Sequence, residues 1–156
     1  MQNELESIWA DGIPSKIDPK DRIEPEGILK MCLQYTMEHI LQDKYKIIAV
    51  GADVGAYPNL IAEKDGTKYA ISVVPCIYPA FLAKADDLRI KIAQQAKKIG
   101  MIPILCPVPI FSIDPKRAEA SIYLKGDVFK MVNMGQLIMT DAAEQEIHPE
   151  KLDFKL

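Results

Sequence analysis

The segment from Tyr57 to Val74 constrains the fold of this chain more than any other. It reads YPNLIAEKDGTKYAISVV, two runs of strand-forming residues separated by a turn at Asp65-Gly66. Asp-Gly is a strong hairpin signal because glycine reaches the positive φ angles of a tight turn at little steric cost. We therefore predict an antiparallel hairpin between Asn59–Glu63 and Lys68–Val74. Alternation divides the side chains of the second strand between two faces, with Tyr69, Ile71 and Val73 on one and Ala70, Ser72 and Val74 on the other.

Helical and strand-like patterns flank this hairpin. Apolar residues recur at helical spacing from Pro25 to Gln42, and proline suits the first position of a helix. Lys46–Val50 has the β-branched composition of a strand. A second amphipathic helix is expected from about Ala80 to Ile99. Met101–Val108 is almost wholly apolar, which is typical of a strand covered on both faces.

We expect the chain to be organised around one domain. A length of 156 residues suits a single domain with one core. The arrangement that we predict is an N-terminal arm over residues 1–24, a domain over residues 25–140 and a charged C-terminal tail over residues 141–156. Within the domain, Ser121–Lys125 and Val128–Val132 flank Gly126-Asp127 and predict a C-terminal β-hairpin.

The elements follow the order αβββαβ, which predicts an α/β fold with a mixed sheet flanked by helices. That order, with the hairpin on its second and third strands, resembles the restriction-endonuclease-like superfamily. The superfamily signature is PD, a spacer and (D/E)XK. Pro58-Asn59 stands at the PD position, and Ser72-Val73-Val74, after twelve intervening residues, stands at the (D/E)XK position. The resemblance covers about Pro25 to Val108.

The resemblance implies a nuclease fold whose chemistry has been lost. Such nucleases hold Mg²⁺ with two carboxylates, and a lysine assists the attacking water. Asn59 offers only a neutral oxygen, Ser72 is a poor magnesium ligand and Val74 cannot position water. We therefore expect no catalytic residues, no metal and no other cofactor, and a structural, partner-binding or ligand-binding role. The ligand-binding residues of the vestigial cleft would be Asp53, Tyr57, Asn59 and Ser72.

Two other functions stay open. The first is a Mg²⁺-dependent DNA nuclease with a relocated active site built from Glu38, Asp53 and Glu63. The second is a nucleic-acid-binding protein without cleavage, which would use the basic residues between Arg89 and Lys98. Such binding would weaken steeply with salt because it depends on the release of counterions from phosphates.

Composition and charge bear on all of these hypotheses. The net charge of −3 gives no general support for nucleic-acid binding. Three widely spaced cysteines without a CxxC pair are typical of reduced, buried thiols. The sequence has no apolar run of about 20 residues and no secretory signal at its start, so we expect a cytoplasmic protein without membrane contact. The partner stays open; a homodimer is one alternative, since the resemblance includes homodimers, exposed sheet edges invite pairing, and the arm around Trp9 or the C-terminal hairpin could supply an interface.

Overall fold

The structure is a computed structural model that describes residues 7–77, 81–135 and 137–138. A short 3₁₀ turn at Pro19–Asp21 precedes the first helix. The helices are α1 (Pro25–Gln42), α2 (Phe81–Lys98) and α3 (Pro115–Glu119). The strands are β1 (Lys46–Val50), β2 (Leu60–Lys64), β3 (Thr67–Ile77), β4 (Ile102–Ser112), β5 (Phe129–Met131) and β6 (Leu137–Ile138). The first elements follow the order α1-β1-β2-β3-α2-β4. The short turn between β2 and β3 suits an antiparallel pair, and the longer helical connection between β3 and β4 allows a parallel pair.

The strands form one mixed sheet in the order β1-β2-β3-β4-β5, with β6 also paired to β4. Pairing is antiparallel between β1 and β2 and between β2 and β3. The two longest strands, β3 and β4, run parallel over nine residue pairs from Tyr69↔Ile102 to Ile77↔Ile110. Strands β5 and β6 pair with β4 in the antiparallel sense. The α/β class and the mixed sheet that the sequence predicts are thereby confirmed.

The hydrophobic core lies between α1 and one face of this sheet. Leu29 and Leu33 of α1 belong to the same buried cluster as Leu60 of β2 and Ile71 and Val73 of β3. Burying a side chain of this size stabilises the fold by about 1.5–3 kcal/mol. The intervening β3 residues therefore face the other side of the sheet, where α2 contacts β3 and β4. The described buried residues of α2 are Ile92, Ala93 and Ala96.

Strand β4 contains three prolines. Because proline lacks the N–H that a strand ladder needs, the sequence predicts that Pro103 and Pro107 lie at a strand end or beside a bulge. Pro103 lies at the start of β4, whereas Pro107 lies within the strand, as does Pro109. The separation of Pro103, Pro107 and Pro109 by even numbers places their nitrogens along the same edge of β4. On that edge β6 pairs with Ile104 and Leu105, and β5 pairs from Ile110 onward. Pro107 lies in the interval between the two partners, where a missing N–H breaks no ladder bond, and the Pro109 carbonyl accepts the Val132 N–H at 3.1 Å.

The predicted C-terminal hairpin does not form. Ser121 ends the turn after α3, Ile122 and Tyr123 belong to no strand, and the Ile122 N–H donates to the Arg117 carbonyl at 2.9 Å. Leu124 forms an isolated bridge with Arg22 of the arm, and β5 pairs with β4. The open edge of β4 offers β5 a longer and more deeply buried partner than the local turn does. The prediction failed because that partner is distant in sequence.

The described part of the N-terminal arm, residues 7–24, packs on the segment after α3. The Ile8 N–H donates to the Gly126 carbonyl at 3.2 Å, and the Trp9 indole donates to the Lys125 carbonyl at 2.9 Å. The Ile23 N–H donates to the Tyr123 carbonyl at 3.0 Å. The charged tail that we predict over residues 141–156 lies outside the described residues.

Candidate functional site

Asn59, at the PD position of the resemblance, is built into the sheet. Its side-chain Nδ2 donates to the Val73 carbonyl at 2.9 Å, and its Oδ1 accepts from the Val73 N–H at 2.8 Å. Its backbone N–H donates to Ile71, and its carbonyl accepts from Gly51. The Asn59 amide therefore acts like an extra peptide group between β2 and β3. With both ends of the amide occupied and the residue buried, Asn59 does not present a ligand-binding group.

The two side chains at the (D/E)XK position are inside the protein. Ser72 and Val74 are both 0% exposed and lie on the face of β3 opposite the α1 core. The Ser72 hydroxyl has no hydrogen-bond partner in the described parts of the chain. Leaving a buried hydroxyl without a partner costs about 1–3 kcal/mol, which partly offsets what the packing of the Ser72 side chain contributes. Neither side chain reaches solvent, where a hydrated Mg²⁺ could meet it.

The other two residues of the predicted cleft, Asp53 and Tyr57, precede β2. Asp53 is exposed, and its carbonyl accepts from the Ala56 N–H at 3.1 Å in a tight turn. Tyr57 is half-buried, and burial raises the pKa of its hydroxyl, helped by the neighbouring Cys76. The structure therefore separates the four predicted residues into two buried positions, one half-buried ring and one exposed carboxylate.

The three acids of the alternative active site lie on different elements. Glu38 is on α1, where it accepts a long hydrogen bond of 3.4 Å from Gln34 and borders a cavity of about 260 Å³. Glu63 on β2 stands in register between Lys46 and Lys68. Within residues 7–77, 81–135 and 137–138, no three His, Cys, Asp or Glu residues are grouped so that they could hold a metal ion. Glu38, Asp53 and Glu63 therefore do not form a metal site in this structure.

Only some of the basic side chains of α2 belong to the described part of the structure. Lys91, Lys97 and Lys98 are exposed. The side chain of Arg89 lies outside the described residues. The three exposed lysines are the described part of the face that a nucleic-acid-binding role would use.

The most highly organised polar site in the described structure is one that sequence reasoning missed. Arg117 of α3 is 2% exposed, and it donates from Nε and Nη2 to the two carboxylate oxygens of Asp127 at 2.9 and 3.1 Å. Its Nη1 donates to the carbonyls of Ala10 and Gly12 at 2.7 and 2.6 Å. The Ser112 hydroxyl donates to the same Asp127 carboxylate at 2.7 Å. This Arg117 site joins the N-terminal arm, the end of β4 and the loop before β5.

Asp114 completes the Arg117 site by capping α3. Its carboxylate accepts from the N–H groups of Lys116, Arg117 and Gly12 at 2.9, 3.2 and 2.8 Å. Asp-Pro at a helix start is a recognisable signal for such a cap. No comparable signal reveals that Arg117 is buried, because its partners are backbone carbonyls and an aspartate that are distant in sequence.

The Arg117 site borders an open cavity of about 660 Å³ that also contacts Trp9, Asp11 and Ile113. The charged groups at its base are already occupied by the hydrogen bonds just described. Burial raises the pKa of Asp127, but hydrogen bonds from Arg117 and Ser112 outweigh it and hold the pKa below its ordinary value. The N–H of Gly12, chiefly, and those of Arg117 and Lys116 lower the pKa of Asp114. The hydrogen bonds of Arg117, Asp114 and Asp127 fasten the arm, and Asp11 and Lys116 are the other charged residues that line the cavity.

Comparison of the chain with protein-family models, with curated proteins and with solved structures found no match. Among the helices of the described residues, none combines the length and the apolar character needed to cross a membrane.

Proposed function

We propose that this chain is a non-catalytic domain of restriction-endonuclease-like descent that acts by binding or as a structural component. The observation that carries the proposal is the role of Asn59, whose side-chain amide is held by two hydrogen bonds to Val73. Ser72 and Val74, the other two signature positions, support it because both are fully buried. All three signature positions contribute to the packing and pairing of the sheet.

The chemistry of phosphodiester cleavage explains why these positions matter. A Mg²⁺-dependent nuclease needs oxygen ligands that carry negative charge and remain accessible to the metal and its waters. Freeing the Asn59 amide would require β2 and β3 to separate locally, and exposing Ser72 would require α2 to leave its face of the sheet. The pairing between these strands runs over five residue pairs, from Leu60↔Ile71 to Lys64↔Thr67. Nuclease activity at the signature positions would therefore require part of the sheet and its packing to be disrupted.

The experiment is a cleavage assay on supercoiled plasmid and on single-stranded DNA with Mg²⁺ or Mn²⁺. The matched control is the triple variant Glu38→Gln, Asp53→Asn, Glu63→Gln, which removes the acids of the alternative site while keeping their size. We expect the same background cleavage from both proteins. Divalent-dependent cleavage that the wild-type protein shows and the triple variant lacks would overturn the proposal in favour of a relocated nuclease site.

Nucleic-acid binding without cleavage is the second candidate, favoured by the exposed Lys91, Lys97 and Lys98. It is tested by fluorescence anisotropy of labelled duplex and single-stranded DNA at low and at physiological salt. A binder that uses these residues would lose affinity steeply as salt rises and would weaken further when the three lysines are replaced by glutamine. Equal anisotropy for the wild-type protein and the glutamine variant would exclude this candidate.

A further inference from the structure

The cavity beside the Arg117 site lies between the N-terminal arm and the start of α3. Its volume of about 660 Å³ is within the range of about 300–1,000 Å³ that is typical of small-molecule sites in proteins. The arm contributes Ser7, Trp9, Asp11 and Gly12 to its lining, and residues 113–117 contribute the rest. The size and the concave shape therefore suit a small ligand.

The lining of this cavity is ordered by hydrogen bonds within the protein. The Trp9 N–H donates to the Ser7 hydroxyl oxygen at 3.1 Å, and the indole Nε1 donates to the Lys125 carbonyl at 2.9 Å. The Asp114 carboxylate accepts the Gly12 N–H at 2.8 Å and also accepts N–H groups of α3, so it ties the arm to α3. A ligand that binds here avoids most of the entropic cost of ordering its own site.

Trp9 and Ile113 give the cavity apolar surface. Trp9 is half-buried, and because its one polar side-chain atom is bonded to the Lys125 carbonyl, its ring offers the cavity carbon atoms alone. Ile113 is 51% exposed. Covering both side chains with an apolar group would remove their carbon atoms from water, which is favourable.

The charged side chains that line the cavity balance each other, with two carboxylates from Asp11 and Asp114 and two cations from Lys116 and Arg117. Asp114 and Arg117 are committed to the bonds that hold the arm. Asp11 and Lys116 are exposed, and within the described residues neither side chain has an ion pair or a hydrogen bond. The cavity therefore presents one uncommitted charge of each sign.

Gly12 brings these two charges close together. A Cβ atom built on Gly12 would lie 3.4 Å from Cδ and 3.9 Å from Nζ of Lys116, so the lysine side chain lies over this glycine. Asp11 is the preceding residue, and consecutive Cα atoms are about 3.8 Å apart. The ammonium of Lys116 and the carboxylate of Asp11 are thus within reach of a single small molecule.

We propose that this cavity binds a free α-amino acid with a large apolar side chain, in its zwitterionic form. The ligand carboxylate accepts from Lys116, and the ligand ammonium donates to Asp11. The apolar side chain of the ligand lies against Trp9 and Ile113. The site is separate from the signature positions on β2 and β3, so this inference goes beyond the proposed function.

The balance of charge selects a zwitterion over a simple ion. An anion that bonds to Lys116 would be repelled by Asp11, and a cation that bonds to Asp11 would be repelled by Lys116. A zwitterion satisfies both groups at once. The N–H groups at the start of α3 do not contribute, because Asp114 already accepts from them.

The test is a titration with L-phenylalanine followed by the fluorescence of Trp9, which is the only tryptophan in the chain. We expect a saturable change in emission. Glycine carries the same two charges without an apolar side chain, so it should bind at least about tenfold more weakly because it leaves Trp9 and Ile113 uncovered. Isothermal titration calorimetry measures the same affinities without relying on the indole.

Two analogues separate the two charges. 3-Phenylpropionate keeps the carboxylate and lacks the ammonium, whereas 2-phenylethylamine keeps the ammonium and lacks the carboxylate. We expect each to bind about fivefold more weakly than L-phenylalanine. Asp11→Asn should weaken L-phenylalanine but not 3-phenylpropionate, and Lys116→Gln should weaken L-phenylalanine but not 2-phenylethylamine.

The matched control variants are Glu119→Gln and Lys125→Gln. Both side chains are exposed, and neither is among the described residues that line the cavity. Lys125→Gln also keeps the carbonyl to which Trp9 is bonded. We expect both controls to bind L-phenylalanine like the wild-type protein, and circular dichroism establishes that each variant is folded.

The absence of a saturable response to L-phenylalanine in both fluorescence and calorimetry would overturn the proposal. 3-Phenylpropionate binding as tightly as L-phenylalanine would overturn it as well, in favour of a site for simple anions. Equal affinity of the wild type, Asp11→Asn and Lys116→Gln for L-phenylalanine would show that the two charges do not take part. The plasmid-cleavage assay does not involve this cavity, so the two proposals can fail separately.

Discussion

At the scale of single residues, Asn59 shows how a side-chain amide can take part in the pairing of two strands. An aspartate here would hold a metal with two acceptor oxygens, whereas asparagine has one acceptor and one donor. That pair matches the N–H and the carbonyl of Val73, to which it bonds at 2.8 and 2.9 Å. The one-atom difference between the two side chains is thus enough to make this position part of the sheet.

This role predicts the effect of two substitutions. Asn59→Ala should lower the free energy of unfolding by about 2–4 kcal/mol because it leaves two buried backbone groups of Val73 without partners. Asn59→Asp, which keeps the size of the side chain, should also destabilise, since a carboxylate cannot donate to the Val73 carbonyl. Urea denaturation measures both.

Ser72→Ala is the matched control for these substitutions. It removes a hydroxyl on a buried strand position that makes no hydrogen bond within the described residues. We expect it to leave stability unchanged or to raise it by about 1 kcal/mol. An Asn59→Asp variant as stable as the wild type would contradict the role assigned to the amide.

At the scale of elements, the success of a prediction from the sequence depended on how far apart in sequence the interacting residues lie. The β2–β3 hairpin and α1 were predictable because the Asp65-Gly66 turn and the helical spacing after Pro25 are local signals. The pairing of β5 with β4 was not, because Ile110 and Met131 meet only in the folded sheet. Of the candidate site, exposure of Asp53 follows from its glycine-flanked loop, but the hydrogen bonds of Asn59 depend on the register of β3.

The connection between the N-terminal arm and the domain predicts a second result. Asp127→Asn should destabilise the protein by about 3–5 kcal/mol, because it removes the carboxylate that two donors of the buried Arg117 guanidinium share and leaves only the more distant Asp114 carboxylate, at 3.8 Å, as a countercharge. Replacing both partners, as in Arg117→Met with Asp127→Leu, should cost less than the single change. Urea denaturation gives the energies, and limited proteolysis shows whether cleavage begins in the arm.

The single and double variants discriminate between two origins of this stability. If the ion pair fixes the arm, Asp127→Asn lowers the free energy of unfolding more than the double variant does. A double variant that is less stable than Asp127→Asn would show that shape and the carbonyl bonds from Arg117 matter more than charge balance.

At the scale of the whole molecule, the response to acid should be governed by the Arg117 site. Asp114 and Asp127 both have a pKa lowered from the ordinary value of 3.8. A carboxylate with a lowered pKa in the folded state stabilises the protein fully above its unfolded pKa, and this contribution is lost as pH falls through the folded pKa. Stability should therefore decline as pH falls below about 4.

Urea denaturation at a series of pH values between neutral and strongly acid measures this decline. Asp127→Asn removes one of the two groups, so its stability curve should be flatter than that of the wild type below about pH 4. A variant curve parallel to the wild-type curve would place the acid-sensitive groups elsewhere in the molecule.

The arm is held mainly through its main chain, and this has a consequence for how the sequence can vary. Arg117 bonds to the carbonyls of Ala10 and Gly12, and Ile8 contributes its N–H. Every amino acid supplies a carbonyl and all but proline supply an N–H, so most residues of the arm can be substituted without losing these hydrogen bonds. Gly12 is constrained by its φ of +90°, and Trp9 by its indole bond. As the sequence changes in evolution, the backbone path of the arm should therefore be conserved more strictly than its amino acids.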